Sequence, residues 1–255
     1  MSKSLVLQSP SSLDSDVMPL MLSDGIHIAA ENAYTDQTDS LVKVADYMQP
    51  SIIYTSPEVA KNPGIITDDA GFVGLVFSGA QGLLVNPFAS LAGYGEVTFY
   101  LVGKFIAGTA NDVYFKWGAV EAETSNDNKA VFLRRYTSNN ELQFTYDPGT
   151  PVNVATVHVP RPSTETAIVS CGYSVASKEV FVGFNGTEVI TAMPQVSQAL
   201  ISEATGDFTL GYNYYTAGQE SEMTLNRMHA FRQYHNAKQR AKVVSALASA
   251  FGISL

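Results

Sequence analysis

The chain of 255 residues has one cysteine, one tryptophan and few charges. With Cys171 alone, no intrachain disulfide can form, so no oxidising compartment is required, and a cysteine-based zinc site has no second thiolate. Cys171 instead reads as a small buried hydrophobe within an alternating strand. Charged residues make up 15%, well under the roughly 25% of an average protein. No acid follows Glu222, whereas Arg227, Arg232, Lys238, Arg240 and Lys242 do. Residues 70–95 carry no charge at all. Glycines and Pro87 interrupt that stretch, so it reads as buried strands and turns rather than a membrane helix. Met1–Ser12 lacks the apolar run of a signal peptide, and a soluble protein is expected. The net charge of −9 opposes nucleic acid as a partner.

Cofactor signatures are missing as well. There is no G-x-x-x-x-G-K-[ST], no G-x-G-x-x-G and no G-x-S-x-G. No D-x-[DN]-x-[DN]-G calcium loop occurs. His27, His158, His229 and His235 are scattered without ligand spacing. No cofactor is expected.

What is present is a succession of strands and one helix. Val97, Phe99, Leu101 and Phe105 alternate with Thr98, Tyr100 and Lys104. Ala130–Tyr136 and Glu141–Tyr146 predict a hairpin around residues 137–140. Residues 113–120, 152–159, 166–173, 207–215 and 223–234 read as further strands. Asn185-Gly186, between Val180–Phe184 and Thr187–Thr191, predicts a two-residue turn, because both central positions of a type I′ turn need positive φ. Asn236–Phe251 predicts the closing helix. Its apolar stripe is Ala237, Ala241, Val244, Ala248 and Phe251, widened by Val243 and Leu247. Asn236 with Gln239 forms a capping box and Gly252 is the stop. Lys238, Arg240 and Lys242 sit in its first turns, against the dipole, and call for a nearby acid.

Residues 1–70 differ in texture. They hold ten acids against three lysines, five prolines and little periodicity. They read as an extended acidic docking segment, with a short helix over Leu41–Met48 capped by Asp39. The acidic head and basic tail are complementary, within one chain or between copies, or they are simply two solvated surfaces.

Residues 71–255 resemble the concanavalin A-like, laminin-G-like jelly roll common in bacteriophage virion proteins. The resemblance lies in Val76-Phe77-Ser78-Gly79, in the strand Val97–Val102, in Val182-Gly183-Phe184-Asn185-Gly186 and in Phe208-Thr209-Leu210-Gly211. A final strand and helix over Tyr234–Phe251 complete it. It implies an all-β jelly-roll sandwich with an extended N-terminal segment and one C-terminal helix. It also implies a structural component of a phage particle (tail, fibre or head decoration) located in the virion. Such a protein acts as a homo-oligomer docked on other virion proteins, and many domains of this kind hold a calcium ion.

That family also contains lectins and glycan hydrolases, so fold alone does not choose the function. Its hydrolases carry E-x-D-x-x-E on one strand. Here Glu121-Ala122-Glu123-Thr124-Ser125-Asn126 has Glu third and Asn last, and Glu220-Ser221-Glu222 has no third partner. No enzyme is expected. The alternative function is a carbohydrate-binding module for host attachment. Its candidate residues are Tyr212, Asn213, Tyr214 and Tyr215, beside Gly211 and Gly218, together with Trp117. Core packing is favoured for Trp117; for the tyrosine loop both readings stand.

Overall fold

The computed structural model describes residues 25–79, 82–85, 93–105, 113–118, 129–136, 140–148, 155–160, 165–195, 200, 208–211 and 221–255. Strands are numbered along the chain. The first sheet has the order β15 (Thr187–Ala192), β14 (Glu179–Phe184), β13 (Ala167–Ser174), β8 (Glu96–Phe105), β17 (Ser221–Phe231), β6 (Val73–Gly79) and β5 (Gly64–Thr67). β1 (Gly25–Ala29) pairs with β17 beyond the end of β6. The second sheet runs β12 (Ala155–Pro160), β11 (Glu141–Pro148), β10 (Lys129–Tyr136), β9 (Val113–Gly118), β16 (Phe208–Leu210), β7 (Leu83–Val85), β4 (Ile53–Thr55), β3 (Val42–Ala45) and β2 (Ala33–Thr35). All pairings among the described residues are antiparallel, and the two inner faces enclose one core. Among the described residues the result is an all-β sandwich closed by one α-helix, as the sequence predicts.

Alternation builds that core. Val97, Phe99, Leu101 and Phe105 of β8 point inward, while Tyr100 and Val102 point to the helix. The Phe99 ring lies 4.5 Å from that of Phe115 and stands edge-on to Trp117. Cys171 is buried there as a hydrophobe, and burial pushes its thiol well up. The Asn185-Gly186 turn has φ of 47° and 82°, the positive pair that the dipeptide predicts. Asn185 Oδ1 also accepts from Ile168 N at 2.8 Å, tying the turn to β13.

Helix α1 (Ala237–Phe251) carries the expected capping box of Asn236 and Gln239 and a left-handed Gly252. Its buried face is rotated from the expected stripe. Ala237 and Ala241 are exposed, and Arg240, Val243, Val244, Leu247 and Ala248 are inside. Arg240 is the acid-seeking cation: its guanidinium bonds Glu188 of β15 through Nε and Nη2 and donates to His235 O. It also lies 4.1 Å from the Phe181 ring centroid. Phe251 is half-buried, 5.0 Å from Phe72 between ring centroids. Phe251→Ala is therefore expected to cost only about 1–2 kcal/mol, not the roughly 3–5 of a wholly buried ring. A urea denaturation series on the variant checks this.

The boundary expected at residue 70 is absent from the fold. β1 and β5 belong to the first sheet and β2–β4 to the second, so residues 25–67 are part of the sandwich. The expected helix over Leu41–Met48 is β3 followed by a turn. Val42 and Val44 are β-branched and buried on one face, and alternation prevails over a helical spacing too short to nucleate. Asp39 caps no helix; its carboxylate accepts from Leu41 N and pairs with Lys43. The acidic head and basic tail do meet within the chain, at Glu31 and Arg227. No described helix is long and apolar enough to cross a membrane.

Candidate functional site: the polar face of the second sheet

Helix α1 covers the outer side of the first sheet. No described helix covers the outer side of the second. Register defines what that side presents. Thr209 lies opposite Lys116, Lys116 opposite Phe132, Phe132 opposite Thr145, and Thr145 opposite Thr156. Residues directly opposite share a face, so these five form one row across β16, β9, β10, β11 and β12. A second row, Arg134–Gln143–His158, runs beside it on β10, β11 and β12. The intervening residues Phe115, Trp117, Val131, Leu133, Phe144 and Tyr146 face the core. Alternation in β10 and β11 thus makes one side apolar and gathers hydroxyl, amide and basic groups around the Phe132 ring on the other.

The side chains of this face restrain one another. Arg134 Nε donates to Gln143 Oε1, and the guanidinium carbon lies 5.4 Å from the Phe132 ring centroid. Thr145 and Thr156 hydroxyls are 3.4 Å apart. His158 Nδ1 approaches Glu141 Oε2 at 3.2 Å. The floor is sheltered: Lys116 is 8% exposed and Gln143 6%. Burial pulls the Lys116 ammonium below its usual pKa, and the Asp147 charge opposes that shift. Such preset donors and acceptors suit a hydroxyl-rich ligand, because little side-chain entropy is lost on binding.

Among the described residues of these five strands two carboxylates lie on this face, Glu141 and Asp147, six residues apart on β11. Extended chain puts them about 20 Å apart. A glycosidic bond needs a pair within about 5–9.5 Å, so these two cannot act together. Among the described residues no cluster of three metal-ligating side chains occurs.

Of the residues singled out in sequence, Trp117 is fully buried between Phe99 and Phe208 and presents no face to a sugar. Tyr212, Asn213, Tyr214 and Tyr215 lie outside the described residues, as do Glu121, Glu123 and Glu220. Glu222 is exposed near the start of β17. Sequence reading missed the polar rows. Their members do alternate with core residues in each strand, but only the register between strands lines them up.

No protein-family model matches the chain, and no curated protein matches it in sequence. Solved structures do match in fold. One, from work on botulinum neurotoxin type C and its interaction with two ganglioside molecules in cell entry, superposes with a TM-score of 0.57 at 9% identity, over 90% of this chain and 52% of its own. A Trypanosoma rangeli sialidase gives 0.57 at 11% identity, over 91% and 34%. The CBM40 of a Ruminococcus gnavus IT-sialidase, bound to α2,3-sialyllactose, gives 0.50 at 16% identity, over 60% and 84%. The chain spans about half the length of the toxin structures it matches. The likeness is one of fold: an antiparallel β-sandwich. These three are toxin, sialidase and carbohydrate-module structures, not virion proteins.

Proposed function

We propose that the chain is a non-catalytic carbohydrate-binding module that holds sugar on the polar face of the second sheet. The observation that carries this reading is the continuous row Thr209–Lys116–Phe132–Thr145–Thr156, flanked by Arg134–Gln143–His158. It offers donors, acceptors and one ring, and among the described residues it holds no carboxylate pair spaced for hydrolysis. Two fold neighbours, one interacting with gangliosides and one bound to sialyllactose, support the same direction.

A glycan-array screen with the full chain tests it. At least one glycan class is expected to bind, with no release of product. Gln143→Ala and Arg134→Ala should each weaken binding about tenfold, the worth of a hydrogen bond or two, at unchanged melting temperature. Glu121→Gln and Glu123→Gln should leave binding unaltered. Turnover of a bound glycan, or full binding by the Gln143 and Arg134 variants, contradicts the proposal.

The second reading is the structural virion role implied by the phage resemblance. One observation favours it. Among the described residues β5 pairs only with β6 and β15 only with β14, and these edges expose Ile65, Ile66, Val189 and Ile190. Open apolar edges are sites where copies join. Light scattering on the isolated chain separates the readings: a defined oligomer supports the assembly role, a monomer does not.

A further inference from the structure

A shallow cleft of about 60 Å³ lies on the other sheet, across β5, β6, β8 and β17. It is separate from the polar rows of the second sheet. Lys104 and Thr224 are directly opposite each other in its wall. Thr166, just before β13, lines it as well. Asn226 is delivered by a bulge: the β17–β8 register shifts between Leu225 and Arg227, leaving Asn226 without a partner on β8. The same residue falls between the part of β17 paired to β6 and the part paired to β1. Bulges of this kind re-aim side chains at functional sites. Asn226 is 5% exposed, and its amide nitrogen donates to Val73 O at 2.8 Å, which fixes its orientation.

The floor is kept low by Gly74. A Cβ there would stand 2.5 Å from Thr224 Cγ2. The rim carries Phe72, whose position is set by a turn in which Asp68 Oδ1 accepts from Ala70 N and Phe72 N. Among the described residues no group donates to Asp68 Oδ2, and the side chains of Lys104, Thr166 and Thr224 have no hydrogen-bond or ion-pair partner. A lysine, two threonines and an aspartate thus line a space for only a few non-hydrogen atoms.

We infer that this cleft binds the acid end of a sugar acid: its carboxylate on Lys104 and the threonine hydroxyls, its neighbouring hydroxyl donating to Asp68. A bare anion would be repelled by Asp68, and a neutral sugar would leave Lys104 without its charge partner. A carboxylate beside a hydroxyl satisfies both. The site does not depend on sugar binding at the second sheet.

Titration of the full chain with sodium glucuronate, glucose and sodium acetate, followed by amide chemical shifts, tests the inference. Glucuronate is expected to shift Lys104, Thr224 and Asn226 and to bind about tenfold tighter than glucose, the effect of one charge-assisted contact. It should weaken in about 0.5 M salt, where exposed charges are screened. Acetate should bind more weakly than glucuronate. Lys104→Met should abolish the glucuronate shifts while leaving the melting temperature intact, and Gln143→Ala should leave them unchanged. The inference is overturned if glucose or acetate matches glucuronate, if Lys104→Met retains the shifts, or if none of the three residues responds.

Discussion

Deletion of residues 1–65 is expected to abolish folding rather than release a stable sandwich. The segment reads in sequence as a detachable acidic leader, yet Ile26, Ile28, Val44 and Tyr54 within it are core residues, each at most 3% exposed. Each such side chain contributes about 1.5–3 kcal/mol by burial, and the whole domain is stable by only about 5–15 kcal/mol. The seam between the sheets is also polar. Asp46, fully buried, accepts from the backbone N–H groups of His27, Met48 and Gln49 and from the Tyr54 hydroxyl. Burial and the Asp46 charge push the Tyr54 phenol well above its ordinary pKa, so it stays a donor. Asp46→Ala would strand these four donors and is expected to cost about 3–5 kcal/mol. Circular dichroism melts on both variants check this. A cooperative transition in the truncated chain at the full-length temperature would show that the first strands are dispensable.

Stability is expected to fall as pH drops from 7 towards 4. His27 and His229 face each other across β1 and β17 with Nδ1 atoms 3.1 Å apart, so one must donate and the other accept. Burial, then the charges of His27 and Arg227, hold His229 well below its ordinary value of 6.5. His235 is pushed down to about 4, by burial first and Arg240 second. It sits between Tyr100 Oη and the Gln233 amide, with Phe231 packed on its ring. Both imidazoles thus have folded pKa values below the unfolded ones, and the unfolded chain takes up protons first. Their contribution is complete above about pH 6.5 and drains away as pH falls to the folded values. For His235 alone the loss is about 3 kcal/mol. Urea midpoints at pH 7.5, 6 and 5 should decline steadily, and His235→Gln should flatten the decline. An unchanged midpoint between pH 7.5 and 5, or an equal slope in the variant, contradicts this account.

Local chemistry was legible in the sequence where a single element carries it. Asn185-Gly186 fixes its own turn, the capping box fixes the start of α1, and the alternation in β8 names its inward residues. Helix phase was harder, because alanines at 237 and 241 are as apolar in pattern as Val243 and Leu247. The buried position of Arg240 depends on Glu188, which is 52 residues away. The N-terminal strands are three to five residues long, too short for period-2 patterning to stand out, and prolines between them suggested disorder. The polar rows escaped for a different reason: Lys116, Phe132, Thr145 and Thr156 are ordinary outward residues in their own strands. They become a surface only through pairing register, which a lone sequence does not encode locally. Trp117 stood out by type, and type is a poor guide when an indole can fill a core as well as a sugar site.

The most direct measurement is amide chemical-shift mapping of the full chain with a glycan found by array. Perturbations are predicted to centre on Lys116, Phe132, Arg134, Gln143, Thr145, Thr156 and His158, and to need about tenfold more glycan in Gln143→Ala, without loss of fold. Absence of binding to any glycan, or perturbations that leave these residues untouched, would contradict the assignment of the second sheet as the sugar-binding face.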